Sequence, residues 1–148
     1  TSSLIMQKQF PISDLDTILR CIPQRQPIVM VDELIHYTEE TLVSAYHVNT
    51  QRLFTNTHLT EPGIIEHMAQ SVALHTGFSY YLQNMPAPVG YIGSISNLRI
   101  ERLPKVGEIV YTTIQILQEF AGITLVNIET SIANEIIASG QMKTVSAQ

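Results

Sequence analysis

Apolar and polar positions alternate most clearly in the second half of the chain. Over residues 108–119, Val110, Ile114 and Ile116 fall on one side, and Tyr111, Thr113 and Gln115 on the other. That is the pattern of a half-buried strand, because successive side chains of a strand point to opposite faces. Residues 90–103, 123–132 and 135–145 read as further strands. Lys105-Val106-Gly107-Glu108 and Ala133-Asn134-Glu135 read as turns between antiparallel neighbours. Upstream, residues 28–36 form an apolar run suited to a buried strand, and residues 41–48 are rich in strand-favouring types. Thr38-Glu39-Glu40 between them reads as a hairpin turn.

Two segments carry helix signals instead. Residues 13–20 open with Ser13 as an N-cap and place Asp14 and Asp16 where the helix dipole favours anions. Pro23 and Pro27 end that helix and bracket the loop Pro23-Gln24-Arg25-Gln26-Pro27. The long helix spans residues 61–83, with Thr60 as its cap and Pro62 in its first turn, where a missing N–H costs nothing. Asn84, Pro86 and Pro88 stop it. A parallel α/β chain alternates strand and helix throughout; this order is helix, two strands, long helix, four strands. The pattern predicts an α+β fold, one domain over residues 1–148, with one long helix against a mainly antiparallel sheet.

Composition narrows the function. Apolar residues make up 45% of the 148 and charged residues 14%, the opposite of a disordered chain. So low a charged fraction suggests that a second subunit covers part of the surface. The net charge of -5 argues against a nucleic-acid partner, which calls for a basic surplus. Cys21 is the one cysteine, so no internal disulfide or cysteine zinc site is expected, and a reducing cytoplasm fits. No signal peptide is expected. Residues 63–83 are interrupted by Glu66, His67, Gln70 and His75, which argues against a membrane span. No metal motif, dinucleotide fingerprint, phosphate loop or nucleophile elbow is present, so neither metal nor cofactor is expected.

The long helix concentrates the candidate chemistry. Gly63, Glu66, Gln70, Ala73 and Gly77 fall along one stripe, flanked by Ile64, Ile65, Met68 and Val72. A carboxylate one turn into an apolar helix is suited to acid or base work. It equally suits a surface position, or a bond to the free donors of the first turn. His67 points about 100° away from Glu66, and His75 lies on the far side. His36 and His47 are expected to face solvent or a polar contact. His58, in the loop before Thr60, is placed to reach the mouth of a site or to serve the loop's own structure.

Three stretches together resemble the hotdog-fold 3-hydroxyacyl-[acyl-carrier-protein] dehydratases. Residues 18–32 (Ile-Leu-Arg-Cys-Ile-Pro-Gln-Arg-Gln-Pro-Ile-Val-Met-Val-Asp) are similar to that family's Leu-Pro-His-Arg-x-Pro loop and following strand. Pro62-Gly63-Ile64-Ile65-Glu66-His67-Met68-Ala69-Gln70 resembles its helix start. Residues 91–102, with Gly107, resemble its next strand and turn. The resemblance implies a hotdog fold, usually dimeric, with two sites at the subunit interface. A loop His there removes the α-proton of a 3-hydroxyacyl thioester. The helical carboxylic acid of the other subunit protonates the leaving hydroxyl, and backbone donors near a helix N-terminus polarise the thioester carbonyl.

Two departures shape the expectation. Gln24 stands where the family has its His, and an amide has no proton to exchange near neutral pH. Only Ile64 and Ile65 separate Gly63 from Glu66, fewer than in the dehydratases. The expected protein is a dehydratase-like hotdog acting on carrier-bound 3-hydroxyacyl chains in fatty-acid-like or polyene biosynthesis. Glu66 and His58 are its catalytic candidates. Gln24, Gly63, Gln70 and His67 are its substrate-binding candidates, and Arg99 and Arg102 its carrier-docking residues. Lys105 is a weaker docking candidate. The substrate arm is carried by acyl carrier protein or coenzyme A, and the assembly is a homodimer or a heterodimer with a related subunit. The alternatives are a non-catalytic subunit beside an active homologue and an acyl thioesterase.

Overall fold

The computed structural model describes residues 9–146. Helix α1 spans Leu15–Cys21, strand β1 Glu33–Tyr37, β2 Thr41–His47 and helix α2 Glu61–Leu82. Strands β3 Gly90–Ile100, β4 Ile109–Phe120, β5 Ile123–Ile132 and β6 Glu135–Ser146 complete the order. All six strands form one sheet in the order β1-β2-β4-β5-β6-β3, and every neighbouring pair is antiparallel. The expected α+β arrangement is the one observed.

Helix α2 is enclosed from several sides, by the sheet, by α1 and by the segment ahead of β1. Buried positions of α2 run round much of its circumference, from Ile64, Met68 and Val72 to Leu74, Phe78 and Leu82. A helix facing a flat sheet would bury one stripe only. Leu42, Tyr46, Ile114, Val126 and Ile128 supply the sheet side of this core. In β4, Val110, Thr112 and Ile114 are buried while Tyr111, Thr113 and Gln115 are exposed, as the alternation predicts. Thr112 and Thr130 share a hydroxyl bond of 2.7 Å in the interior, so no polar group is stranded there. Ser44 and Ser71 do the same between β2 and α2, at 2.7 Å.

The turns follow their residues. Ala133 and Asn134 both have positive φ, 49° and 67°, the primed turn that matches strand twist. Ala121 and Gly122, at 54° and 78°, join β4 to β5 in the same way. Gly107 has φ 95° and sits in a turn closed by Glu108 N–H on the Lys105 carbonyl, 3.0 Å.

Three expectations need correction. The N-cap of α1 is Asp14 rather than Ser13, and its carboxylate accepts from the Thr17 hydroxyl at 2.8 Å. Strand β3 ends at Ile100, so Arg102 and Lys105 lie beyond it and the strand-face argument does not apply to them. The run 28–36 is strand only from Glu33, because the backbone of Ile28 and Met30 bonds to side chains of α2 instead of to a neighbouring strand.

Candidate functional site

Helix α2 is brought against α1 through Gly77. A Cβ there would lie 1.6 Å from the Cys21 carbonyl oxygen, so only glycine permits this approach. That contact fixes the end of α1, and with it the loop that carries Gln24. Gly63 is needed for packing too: a Cβ would meet Leu59 Cδ1 at 2.5 Å and Phe54 Cβ at 2.9 Å.

Glu66 and Gln70, one turn apart, are brought together. Gln70 Nε2 donates to Glu66 Oε2 at 2.8 Å and to the Ile28 carbonyl at 2.7 Å. Gln70 Oε1 accepts from the Met30 N–H at 2.6 Å. Both hydrogens of the amide are therefore engaged within the chain, leaving Gln70 no N–H for a ligand. Glu66 is half-buried.

His67 is fully buried, and its Nδ1–H donates to the Met30 carbonyl at 2.7 Å. Nε2 then carries a lone pair and has no partner. Its ring lies 5.7 Å from that of Tyr46. Burial holds this imidazole neutral by pushing its pKa down to about 4, against the pull of the Met30 bond and of Asp32. Asp32 takes a two-pronged bond from Arg52, at 2.6 and 2.9 Å, and that guanidinium lies 4.7 Å over the Tyr46 ring. Nothing in the sequence pattern singled out Arg52, because the pair joins residues twenty apart.

The His67 environment has a consequence for pH. The unfolded chain takes up a proton near the ordinary histidine value of 6.5, which the folded protein refuses until about pH 4. The stabilisation is complete above pH 6.5, declines as pH falls toward 4, and stops declining below that. The loss is roughly 3 kcal/mol over this window. Urea unfolding of His67→Asn, which keeps a donor for Met30, is expected to show a flatter pH dependence than the parent.

The other histidines are placed elsewhere. His58 Nδ1 lies 3.0 Å from the Thr57 hydroxyl, and its backbone pairs with Lys105. His75 donates to the Thr38 carbonyl at 3.0 Å. His47 pairs with Glu33 at 3.4 Å, and His36 is exposed beside Phe10. Among the described residues, no histidine forms a hydrogen bond or ion pair with Glu66, and His58 is engaged elsewhere. Nor do the described residues include a group of side chains able to bind a metal ion.

Gln24 lines a groove of about 390 Å³ between the two helices and the segment that leads from α2 into β3. Leu19, Ile22, Ala69 and Val72 make its apolar wall, and Val89 and Tyr91 close the other side. The sequence reading missed residues 86–92 as a groove wall; Pro86 and Pro88, which hold the chain extended directly after the helix, were the available signal. Gln24 Oε1 is buried there without a partner. Ala69 and Ala73 line this groove, whereas Glu66, on the same helix, does not. Gln24 and Glu66 thus stand apart within one chain.

The basic residues divide into two groups. Arg99 pairs with Glu101 at 3.1 Å. Arg102 grips both oxygens of Glu108, at 3.0 and 3.2 Å, and approaches Glu135 at 3.7 Å. This pairing lowers the pKa of the Glu108 carboxyl. Arg20 and Arg25 line the Gln24 groove and form no ion pair among the described residues. Arg25 is held by the carbonyls of Ile22 and Gln24, both at 2.8 Å.

The family described as ApeP-like, ApeP dehydratase, matches residues 16–148. A 3-hydroxyacyl-[acyl-carrier-protein] dehydratase FabZ from Shewanella sp. (strain MR-4) is 27% identical over 146 residues, covering 93% of this chain and 94% of that protein. The fold is that of the dehydratase heterocomplex ApeI:P from Xenorhabdus doucetiae, with a TM-score of 0.78 at 15% identity over 95% of this chain and 93% of that one. A hypothetical thioesterase with coenzyme A from Streptococcus pneumoniae TIGR4 shares the fold at a TM-score of 0.60, 8% identity, over 78% of this chain and 84% of that one. The hotdog architecture expected from the sequence is therefore the one found.

Proposed function

From the premise that the chain belongs to the ApeP-like dehydratase family, we propose that it dehydrates 3-hydroxyacyl thioesters together with a related subunit. Glu66 supplies the proton and the other subunit supplies the base. The substrates are chains of fatty-acid-like or polyene biosynthesis on an acyl carrier protein, and the setting is cytoplasmic. The base takes the α-proton, the α–β carbon double bond forms, and the β-hydroxyl leaves as water with the Glu66 proton. Transfer of the abstracted proton from base to Glu66 restores the start.

The observation that carries this reading is the mismatch at Glu66. Its carboxyl is held in a defined position by Gln70, yet no imidazole of its own chain reaches it. Gln24 is an amide, and His67 is buried and engaged. At the loop position where the family has its His, a homodimer would bring a second Gln24. The Xenorhabdus doucetiae dehydratase is a heterocomplex, which supports a partner that brings the base. Purified chain alone is expected to leave a 3-hydroxyacyl carrier substrate unchanged, and to yield the enoyl thioester when mixed with a hotdog subunit that has the loop His. Equal inertness in both cases overturns the reading.

Strand β3 is the surface offered for assembly. It is an edge of the sheet, every residue from Gly90 to Asn97 is exposed, and Tyr91 is 61% accessible. An edge with unpaired N–H and C=O groups and apolar side chains is a template for a further strand. With the related subunit added, Ile95→Arg is expected to shift the assembly toward separate subunits in sedimentation velocity, with its circular dichroism unchanged.

Arg20 and Arg25, beside the groove and without an ion pair among the described residues, are better placed for an acidic carrier or a coenzyme A phosphate than Arg99 and Arg102, whose charges are met within the chain. A thioesterase is the second reading. The buried, unpartnered Gln24 oxygen favours it, because that oxygen can accept a hydrogen from an attacking water. Release of free acid in place of enoyl thioester selects that reading.

A further inference from the structure

Strand register sets Phe120 opposite Ile123, Ile123 opposite Val145, and Val145 opposite Tyr91. Directly opposed residues share a face of a sheet. In β5, Val126 and Ile128 are buried toward α2, so Ile123 points the other way. The row therefore crosses four adjacent strands on the outward face, about 14 Å from first to last at the usual strand spacing. All four are large hydrophobic side chains and all are exposed. Phe120, at 76%, is the most exposed of its kind among the described residues.

The next two rows on this face are nearly free of charge. Gln118, Leu125, Lys143 and Ser94 form one of them. Gln115, Asn127, Gln141 and Ser96 form the other, and Lys143 is the one charged residue in the two rows. Charge returns only in the row beyond, with Glu129 and Arg99. Exposed hydrophobic residues scattered singly need no partner, but a contiguous patch marks a contact surface. Depletion of charge around it is the mark of an interface core.

We propose that this half of the outward face docks a second copy of the chain, sheet against sheet. Self-complementarity is what selects a second copy. A two-fold contact matches one surface patch with itself. Like charges repel in such a contact, whereas an amide both donates and accepts and so pairs with its own kind. Gln115, Gln118, Asn127 and Gln141 meet that condition, and so does the hydrophobic row. The long stem of Lys143 lets its charge turn to the rim. An anionic lipid surface would call for a basic cluster, which these rows lack.

The contact does not compete with the edge of β3. Edge pairing uses backbone groups in the plane of the sheet, and the row points out of that plane. A related subunit on the edge and a second copy on the face are held together, which sets two heterodimers back to back. The inference is independent of the chemistry proposed for Glu66. Three rows fall short of the roughly 800 Å² per partner of a standard interface, so the association depends on concentration.

Sedimentation velocity over a concentration series tests this, with the β3 edge blocked by Ile95→Arg. That protein is expected to pass from monomer to dimer as its concentration rises. Adding Ile123→Glu should weaken the association at least about tenfold, because each copy then buries an unpaired charge. Ile123 is exposed in the single chain, so circular dichroism and thermal unfolding should be unchanged. Should they change, Phe120→Glu, at the most exposed position, replaces it with the same expectation. Equal sedimentation with and without the added charge overturns the proposal. So does a protein that remains monomeric throughout the series. Flotation with phosphatidylcholine–phosphatidylglycerol vesicles is the second arm, and no binding is expected. Co-flotation of monomer, lost in Ile123→Glu, assigns the row to a lipid surface and overturns the second copy.

Discussion

Glu66→Gln in the assembled protein should lower turnover of a 3-hydroxyacyl thioester by about 10²–10⁴-fold, the usual range for loss of a general acid. The replacement keeps the shape of the side chain and removes only its ability to release a proton. Glu66 is half-buried and, among the described residues, its side chain bonds to Gln70 alone, so folding should survive and KM should change little. Steady-state assay of enoyl product, with circular dichroism as the control, checks it. Retention of most of the activity would remove Glu66 from the chemistry and leave the fold assignment intact.

Gly77→Ala should be the most damaging small change to stability. The added methyl would sit 1.6 Å from the Cys21 carbonyl oxygen, 2.5 Å from its carbon and 2.8 Å from the Cys21 Cα. All three are backbone atoms, so no rotamer change makes room and α1 must move off α2. Overpacking relieved by side-chain shifts typically costs about 1–3 kcal/mol, and this clash should exceed that range. Gly107→Ala is the contrast: a Cβ there meets nothing within 4 Å, and the cost is the strain of φ 95° alone, about 1–2 kcal/mol. Urea unfolding of the two variants separates the effects. Moving α1 also displaces the Gln24 loop, so activity should fall in Gly77→Ala beyond the loss of folded protein.

The elements that local rules govern were legible. Strand β4 announced itself by alternation, the boundary of β5 and β6 by the turn at Ala133 and Asn134, and α2 by its proline start and stop. The stripe Gly63, Glu66, Gln70, Ala73, Gly77 was legible as a pattern, and the Glu66–Gln70 pair follows from its one-turn spacing. The reasons behind it were not. Gly77 is set by Cys21, and Gln70 by Ile28 and Met30, contacts between residues some forty or more positions apart that no window of sequence contains. The shortened β1 has the same origin, since the backbone groups of its apolar run bond to side chains of a helix instead of to a strand. The pairs that meet Arg99 and Arg102 were partly within reach of the sequence: Glu101 lies two positions from Arg99 and Glu108 six from Arg102, and the fold adds the more distant Glu135.

The grip of α2 on the segment before β1 falls on peptide groups, the N–H and C=O of Met30 and the C=O of Ile28. Every amino acid offers that carbonyl, and all but proline offer the N–H, so the attachment is blind to what the segment's side chains are. The chemistry at position 24 can therefore be exchanged, imidazole for amide or the reverse, without moving the frame that presents it. A lineage built on such a frame can trade reactivity between subunits one residue at a time.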